Sequence, residues 1–473
     1  MHQAVLYLAL YLVGLAVCLA VGPRDRPGLC CALAFPVGLA VLVAPAALFA
    51  GAGAPYGWPL LAGIAAAVLA GAAIAIRRRG LPDRGRLRRL GLGTLAFAVA
   101  ATALSAVSFS VFTYDSHDII ANARVLVDDH GFGRGLMYEM DDRAPFMLIA
   151  HSLAPLLSLS FLAAFVAVAW HGFARLGVEP RRRALPIALV AAALSTVYLW
   201  QFHFLYIHEN LPSAVYLFLF VALFWLAETG DADTAPIACI ALAAFTLMRV
   251  ENPVAAALFA GLVLLPSNLP ARPLLPWLGA ALVIAVGWNL ALMLRLPFEN
   301  IASLRPGRIR VLIALLVLVH AAWLVSRLPA LERWRRHAPA MAAGLVALGL
   351  AYAFSSHDDS MVGSARALLH NLVSFDMWGV TWIGLGALAI AGRFYVKPPA
   401  AQAFSWGVPV NLGLVLLLAY GRDPYVETLF DSGMRMALHV LPLLFFYVAL
   451  QLAQLSTSPA AAADADTTAP ASA

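Results

Sequence analysis

Apolar runs alternate with short polar segments along almost the whole chain. About fifteen such runs lie between residues 4 and 452, and most approach the roughly 20 residues that cross a hydrocarbon core. Two of them, at residues 235–248 and 254–265, are short and flank the sequence RVENP. They could form one broken or re-entrant pair, which would leave about thirteen crossings. The pattern predicts an all-α fold, a polytopic transmembrane helical bundle with about 13 to 15 membrane helices.

Composition and charge narrow this prediction. The chain of 473 residues is 62% hydrophobic and only 12% charged, whereas soluble domains typically contain about 25% charged residues. The net charge of +6 comes almost wholly from arginine, since Lys397 is the only lysine. The arginines cluster at residues 77–89, 175–183 and 326–336, which is typical of cytoplasmic loops rather than of a nucleic-acid surface. If successive apolar runs cross the membrane in opposite directions, all three clusters lie on the same side of the membrane.

The side opposite the arginines receives nearly every cluster of histidine and acidic residues. The predicted outer loops carry sequences such as YDSHD, HFLYIHEN and SSHDD, and they cover residues 113–145, 201–212, 295–308, 355–377 and 421–435. The third loop departs from the pattern because it also holds Arg295, Arg305 and Arg308. Either the topology differs there from the predicted alternation, or these cations face an anion.

The first outer loop offers the clearest candidate chemistry. Asp115, His117 and Asp118 closely follow the apolar run at residues 92–112. The next segment, IIANARVLVDD, alternates apolar and polar residues at helical spacing, which predicts a helix lying in the membrane interface. A carboxylate held in this partly dehydrated position can act as a general base on a hydroxyl acceptor. The alternative is a solvated interfacial loop.

Two stretches of the sequence resemble the GT-C class of integral-membrane glycosyltransferases. Asp115 and the following ANARVLVDDHG, residues 121–131, look like the first outer loop of that class, in which an Asp precedes an A-R-x-L…H-G run. Ser116 stands where the class usually has a Glu, and Asp118 could substitute for it. The second stretch, FDSGMRMALHVLPLL at residues 430–444, is similar to the opening of a late transmembrane helix in bacterial members.

Arg435 opens that late helix. An arginine beside a helix N-terminus at the outer interface favours a phosphate group, because the guanidinium, the backbone N–H groups and the helix dipole all attract an anion. The alternative is an arginine that extends to the lipid headgroups. The resemblance implies that Arg435 binds the phosphate of a lipid donor, and Arg305 and Arg308 would suit the same anion.

The resemblance also implies an activity and a location. It points to a multi-pass enzyme of the bacterial inner membrane, similar to dolichyl-phosphate-mannose-protein mannosyltransferases, with its active site on the outer face. Such an enzyme transfers a sugar from a polyprenyl-phosphate donor to a glycan, lipid or protein acceptor. Asp115 would be the general base, with Asp118 and His117 as its neighbours.

The resemblance and the composition together divide the chain into three parts. Residues 1–91 are expected to form extra N-terminal transmembrane helices and a basic cytoplasmic loop. Residues 92–455 are expected to form the GT-C-like catalytic core, with its first outer loop at 113–145. Residues 456–473 are rich in Ala, Ser, Thr and Pro, which predicts a disordered tail.

Three further pairs of polar residues are candidates for substrate contact: His208 with Glu209, Arg249 with Glu251, and His357 with Asp358. The first pair could equally cap the helix that follows it. The second lies in the turn between two short apolar runs and could form an internal ion pair. The third belongs to SSHDDS, which could also hold a divalent metal, and the GT-C class contains both metal-dependent and metal-independent members.

Two other functions compete with this interpretation. A polysaccharide ligase or polymerase that uses a lipid diphosphate donor would suit the arginines in the third outer loop. A lipid or solute transporter would need polar groups near the middle of the membrane, whereas this sequence concentrates them at one surface.

Overall fold

The computed structural model describes residues 2–106, 154–197, 200–202, 210–249, 251–295, 306–375, 378–395, 402–420, 424–428 and 431–455. Within these ranges every regular element is a helix. Nine of the described helices are long and apolar enough to cross a membrane, and there are up to ten such spans if one bent pair is counted. The chain is therefore a multi-pass integral membrane protein with an all-helical fold, as the sequence predicts.

We number the described α-helices in chain order, and short 3-10 helices lie at Ala232–Thr234, Pro329–Leu331 and Leu438–Val440. The α-helices are α1 His2–Val21, α2 Pro27–Gly51, α3 Trp58–Arg79, α4 Arg84–Ala106, α5 Ala154–Arg175, α6 Pro180–Thr196, α7 Asn210–Glu228, α8 Ala235–Thr246, α9 Asn252–Leu264, α10 Ala271–Arg295, α11 Pro306–Val325, α12 Glu332–Arg335, α13 Ala338–Ser356, α14 Asp358–Val373, α15 Thr381–Tyr395, α16 Gln402–Ala419, α17 Ser432–Ala437 and α18 Leu441–Leu455.

Within the described residues each predicted apolar run overlaps one or more of these helices, and the predicted connecting segment 355–377 is not among the candidate crossings but contains a helix. Helix α14 occupies most of that segment. It is amphipathic, with Met361, Ala367 and Leu368 buried and its other side exposed, so it lacks the continuous apolar run that marks a crossing. Helix α4 also begins earlier than its apolar run, at Arg84, because arginine is a good helix former.

Arginines join the chain segments at one end of the bundle. Arg79 at the end of α3 places its Nη2 2.6 Å from Oδ2 of Asp233, which precedes α8. Arg26, between α1 and α2, and Arg175, at the end of α5, both form ion pairs with Asp231. These contacts bring segments from four parts of the sequence to one surface, which we call the basic face.

Asp231 is held in its charged form by this network. Burial raises the pKa of Asp231, but the hydrogen bond from Arg175 and the positive charges of Arg26 and Arg175 lower it by more. The pKa of this carboxyl therefore lies below its usual value of 3.8. The charged form of Asp231 thus stabilises the junction between α2, α5 and α8.

Two further loops extend the basic face. Arg327 Nη1 and Arg335 Nη2 each donate a hydrogen bond of 2.7 Å to the backbone carbonyl of Ser267, which joins the loop after α9 to the segment after α11. Glu228, the last residue of α7, lines the same cavity as Asn268. The three arginine clusters therefore share one face of the bundle, in agreement with the alternation of crossings.

Helices α8 and α9 form a hairpin that starts and ends at the basic face, since Asp233 precedes α8 and Ser267 follows α9. They contain 12 and 13 residues, whereas a helix that crosses the whole membrane needs about 20 residues. The turn between them reaches Asn210, the first residue of α7. We call this other end of the bundle the opposite face.

Helix α7 lies at the centre of the bundle, and all residues of its most apolar 18-residue stretch are buried. Its Phe218 packs against Phe161, Phe165 and Phe446, with ring centroids 5.2 to 5.6 Å apart. In α3 and in α4, only 11% of the residues in the corresponding apolar stretch are buried, so these helices lie at the periphery. Because α7 is packed on all sides, its first residue, Asn210, has a fixed position at the opposite face.

Candidate functional site

The sequence RVENP breaks the chain between α8 and α9. Asn252 and Pro253 begin α9, and proline at a helix start loses no helical hydrogen bond because the first N–H groups have no helical partner. Asn252 Nδ2 donates to the carbonyl of Phe245 at 2.9 Å and to Ser213 Oγ at 3.0 Å. The first bond satisfies a carbonyl at the end of α8, and the second fixes the turn against α7.

Four polar side chains meet at this turn. Arg249 Nε lies 3.4 Å from Glu251 Oε2, and Arg249 Nη1 donates to Asn210 Oδ1 at 3.0 Å. His439 Nε2 lies 3.2 Å from the same Asn210 oxygen. Since a carbonyl oxygen only accepts, this contact is a hydrogen bond when His439 carries its proton on Nε2. We call Asn210, Arg249, Glu251 and His439 the polar cluster.

The polar cluster is almost completely enclosed. Its exposed fractions run from 0% for Asn210 to 9% for Glu251. Removing a carboxylate and a guanidinium from water costs several kcal/mol for each ion, and pairing returns this only when the geometry is good. Ionisable residues retained within a membrane bundle are functional candidates for that reason. The predicted internal ion pair between Arg249 and Glu251 is confirmed, and it is part of a larger arrangement than the sequence indicated.

Arg435 belongs to the same late span as His439 of the polar cluster. The span Ser432–Leu455 runs from the opposite face through α17 and a 3-10 turn into α18. Arg435 precedes His439 by four residues and therefore lies about one turn nearer the opposite face. Arg435 is half-buried. The Arg435 guanidinium is therefore the cation of this span nearest to the opposite face.

The start of this helix differs in one respect from the predicted phosphate site. Asp431 is its N-cap, and the carboxylate accepts hydrogen bonds from Met434 N at 3.1 Å and from Val426 N at 3.2 Å. A negative charge therefore already occupies the helix N-terminus and reduces its attraction for phosphate. Any phosphate bound here depends on the Arg435 guanidinium more than on the helix dipole.

His357 and Asp358 lie at the opposite face but outside the polar cluster. Both are exposed, and the His357 ring packs edge-to-face on Tyr420 with centroids 5.0 Å apart. Asp358 and Asp359 stand in the first turn of α14, where negative charge stabilises a helix. No group of three or more metal-ligating side chains occurs among the residues that the structure describes. The sequence SSHDDS, residues 355–360, spans the end of α13 and the start of α14.

Six of the other predicted site residues lie outside the described residues: Asp115, His117, Asp118, His208, Glu209 and Arg305. Arg308 lies in the first turn of α11. Residue 210 opens α7 directly after His208 and Glu209 in the sequence, so these two residues are chain neighbours of the polar cluster.

Sequence reasoning missed Asn210, Asn252 and His439. Each is a polar residue at the edge of, or inside, a strongly apolar run, and such a residue needs a hydrogen-bond partner when it is buried. That signal was available in the sequence. It does not reveal which partners converge, because Asn210 and His439 are 229 positions apart. In comparisons with known proteins, no family model, curated protein or solved structure matches this chain.

Proposed function

We propose that this protein is a GT-C-type glycosyltransferase with 13 to 15 crossings. It transfers a sugar from a polyprenyl-phosphate donor to a hydroxyl acceptor at the outer face of a bacterial inner membrane. The observation that carries the proposal is the polar cluster of Asn210, Arg249, Glu251 and His439, buried at the face opposite the arginine-rich loops. By the positive-inside rule, that opposite face is the outer one.

A lipid-linked donor fits a site in this position. Such a donor has its phosphate at the level of the headgroups and its hydrocarbon chain in the bilayer, so it can reach the end of a membrane bundle by lateral diffusion. Arg435 stands at that level, one turn above His439. Its planar guanidinium can donate two parallel hydrogen bonds to a phosphate. The ion pair beneath it holds Arg249 and Asn210 in fixed orientation.

The reaction needs a base for the acceptor and stabilisation for the leaving group. Asp115, in the outer segment that resembles the first loop of the GT-C class, takes the proton of the acceptor hydroxyl. The acceptor oxygen forms a bond to the anomeric carbon, and the bond from that carbon to the phosphate oxygen breaks. The electron pair leaves with the polyprenyl phosphate, and Arg435 stabilises the resulting negative charge.

The transporter alternative is less well supported than the enzyme. A transporter needs polar groups that line a path through the membrane centre. Asn289 and His320 are buried within membrane helices, and each hydrogen-bonds to the backbone of its own helix, at Ala285 and Leu316. Such bonds tie one polar atom of each side chain to its own helix. The polar cluster, in contrast, joins three segments at one end of the bundle.

Purified protein reconstituted with synthetic polyprenyl-phosphate sugars tests the proposal. We expect release of polyprenyl phosphate by the wild type, and a rate roughly a hundred-fold lower for Asp115→Asn, because the amide cannot accept the proton. Asp118→Asn is the matched control from the same segment. Activity with polyprenyl-diphosphate donors alone would favour the ligase or polymerase. Full activity of both variants would refute Asp115 and Asp118 as the base.

A further inference from the structure

A second candidate site lies at the other end of the molecule, between the peripheral helix α3 and the bundle. A groove of about 360 Å³ is bounded by α1, α2, α3, α8 and α10. Its lining is entirely apolar, with small residues such as Gly71 and Ala75 on α3 opposite Ala281 on α10. Along α3 it extends from Ala67 to Ala75, a rise of about 12 Å. All five helices that form the groove include membrane-spanning or short apolar segments.

The mouth of this groove is at the basic face. Ala75 is one helical turn from Arg79, whose Nη1 donates to the carbonyl of Ala20 at 2.9 Å. On the opposite wall, Trp277 lines the groove in the second turn of α10, which begins at the basic face. Tryptophan is enriched at the level of lipid headgroups. The groove therefore passes from the headgroup level into the hydrocarbon region.

An arginine stands beside the mouth. Arg78 follows Gly71 by seven residues and Ala75 by three, so it lies on the groove side of α3. Arg78 is exposed, and it has no ion-pair partner among the residues that the structure describes, whereas Arg79 is paired with Asp233. The wall formed by α3 thus presents a cation at the level where an apolar ligand would carry its headgroup.

We propose that this groove binds an anionic phospholipid of the leaflet at the basic face. One acyl chain lies along Gly71 and Ala75, and the phosphate lies near Arg78. The lining is apolar, which excludes a water-soluble ligand, and the unpaired arginine favours a lipid with net negative charge over a zwitterionic one. This site is independent of the proposed glycosyl transfer, because it lies at the other face.

Native mass spectrometry of the purified full-length protein tests recognition of the headgroup. Phosphatidylglycerol and phosphatidylcholine with identical acyl chains are added in turn. The wild type should bind phosphatidylglycerol more tightly. Arg78→Gln should weaken phosphatidylglycerol binding about fivefold and phosphatidylcholine binding by less, because the choline group already offsets the phosphate charge. Arg77→Gln is the control, because Arg77 points about 150° away from the middle of the groove side of α3 and should leave the lipid preference intact.

A matched pair of glycine variants tests the path of the acyl chain. A Cβ atom added at Gly71 or at Gly63 meets no heavy atom within 4 Å, so both positions lie in open space. Gly71→Leu projects into the groove and should weaken binding of both lipids, whereas Gly63→Leu lies on α3 outside the groove and should not. Binding of phosphatidylglycerol by Gly71→Leu at the wild-type level would overturn the proposal. An unchanged preference for phosphatidylglycerol in Arg78→Gln would overturn the role of this cation.

Discussion

Replacing Arg249 by methionine removes the cation of the buried ion pair and leaves the Glu251 carboxylate enclosed. The Arg249 and Glu251 side chains are only 2% and 9% exposed, so water cannot replace the lost partner. Breaking a buried pair by removing one member costs about 3–5 kcal/mol. That is a large part of the about 5–15 kcal/mol by which a typical protein is stable. We therefore expect Arg249→Met to destabilise the bundle severely.

A double variant separates the effect of the missing ion pair from the effect of an unpaired buried charge. In Arg249→Met with Glu251→Met, neither charge of the pair remains, and replacements of this kind are often neutral or stabilising. The double variant should be more stable than Arg249→Met alone. Glu251→Gln keeps an acceptor oxygen for Arg249 and should lose less stability than Arg249→Met. It provides a measurable variant if Arg249→Met does not accumulate.

An exposed ion pair provides the matched control. Arg366 Nε lies 3.8 Å from Glu427 Oε1, with side chains 84% and 47% exposed, and pairs of this kind contribute less than about 1 kcal/mol. Denaturant unfolding in detergent, followed by the fluorescence of the 11 tryptophans, gives the free energies of unfolding. If Arg249→Met costs no more than Arg366→Met, the reasoning about the buried pair is wrong.

Three further predictions follow from the described contacts and the proposed topology. Because the pKa of Asp231 is depressed below 3.8, its stabilising charge is present above that pH and is lost as the pH falls further. The loss of thermal stability in Asp231→Asn should therefore be full at pH 7 and shrink below about 3.8; an equal loss at all pH values would contradict this. Cysteines at Ser116 and Ser360 should react with a membrane-impermeant thiol reagent in intact cells and one at Gly85 should not, and labelling of Gly85 alone would invert the topology. Arg435→Lys should weaken binding of a polyprenyl-phosphate sugar in titrations and Arg435→Ala should weaken it more, because lysine keeps the charge but not the planar fork; unchanged affinity of the alanine variant would remove Arg435 from the donor site.

The membrane fold could be predicted from the sequence because the bilayer imposes a simple physical requirement. A crossing needs a long apolar run, and that requirement alone locates helices such as Trp58–Arg79 within a few residues. Helix α14 could not be found this way. It buries only one side, so its apolar residues are spread through a polar sequence and resemble a loop.

The polar cluster shows a different limit. The residues RVENP suggested an ion pair because Arg249 and Glu251 are two positions apart, and short-range contacts can be predicted from spacing. Asn210 and His439 join the same site from positions that no local pattern connects. Their convergence results from the packing of α7 against the late span Ser432–Leu455, and packing partners are set by the whole bundle rather than by a segment.

The central claim is that this protein transfers a sugar from a polyprenyl-phosphate donor, with Asp115 as the base. Its most direct test compares cells that lack the protein with cells that re-express the wild type or Asp115→Asn, measuring lipid-linked sugars and envelope glycans by mass spectrometry. We predict that one polyprenyl-phosphate sugar accumulates and one glycan loses a sugar without the protein, that the wild type reverses both changes, and that Asp115→Asn reverses neither. Identical lipids and glycans in all four strains, the parent included, would contradict the claim.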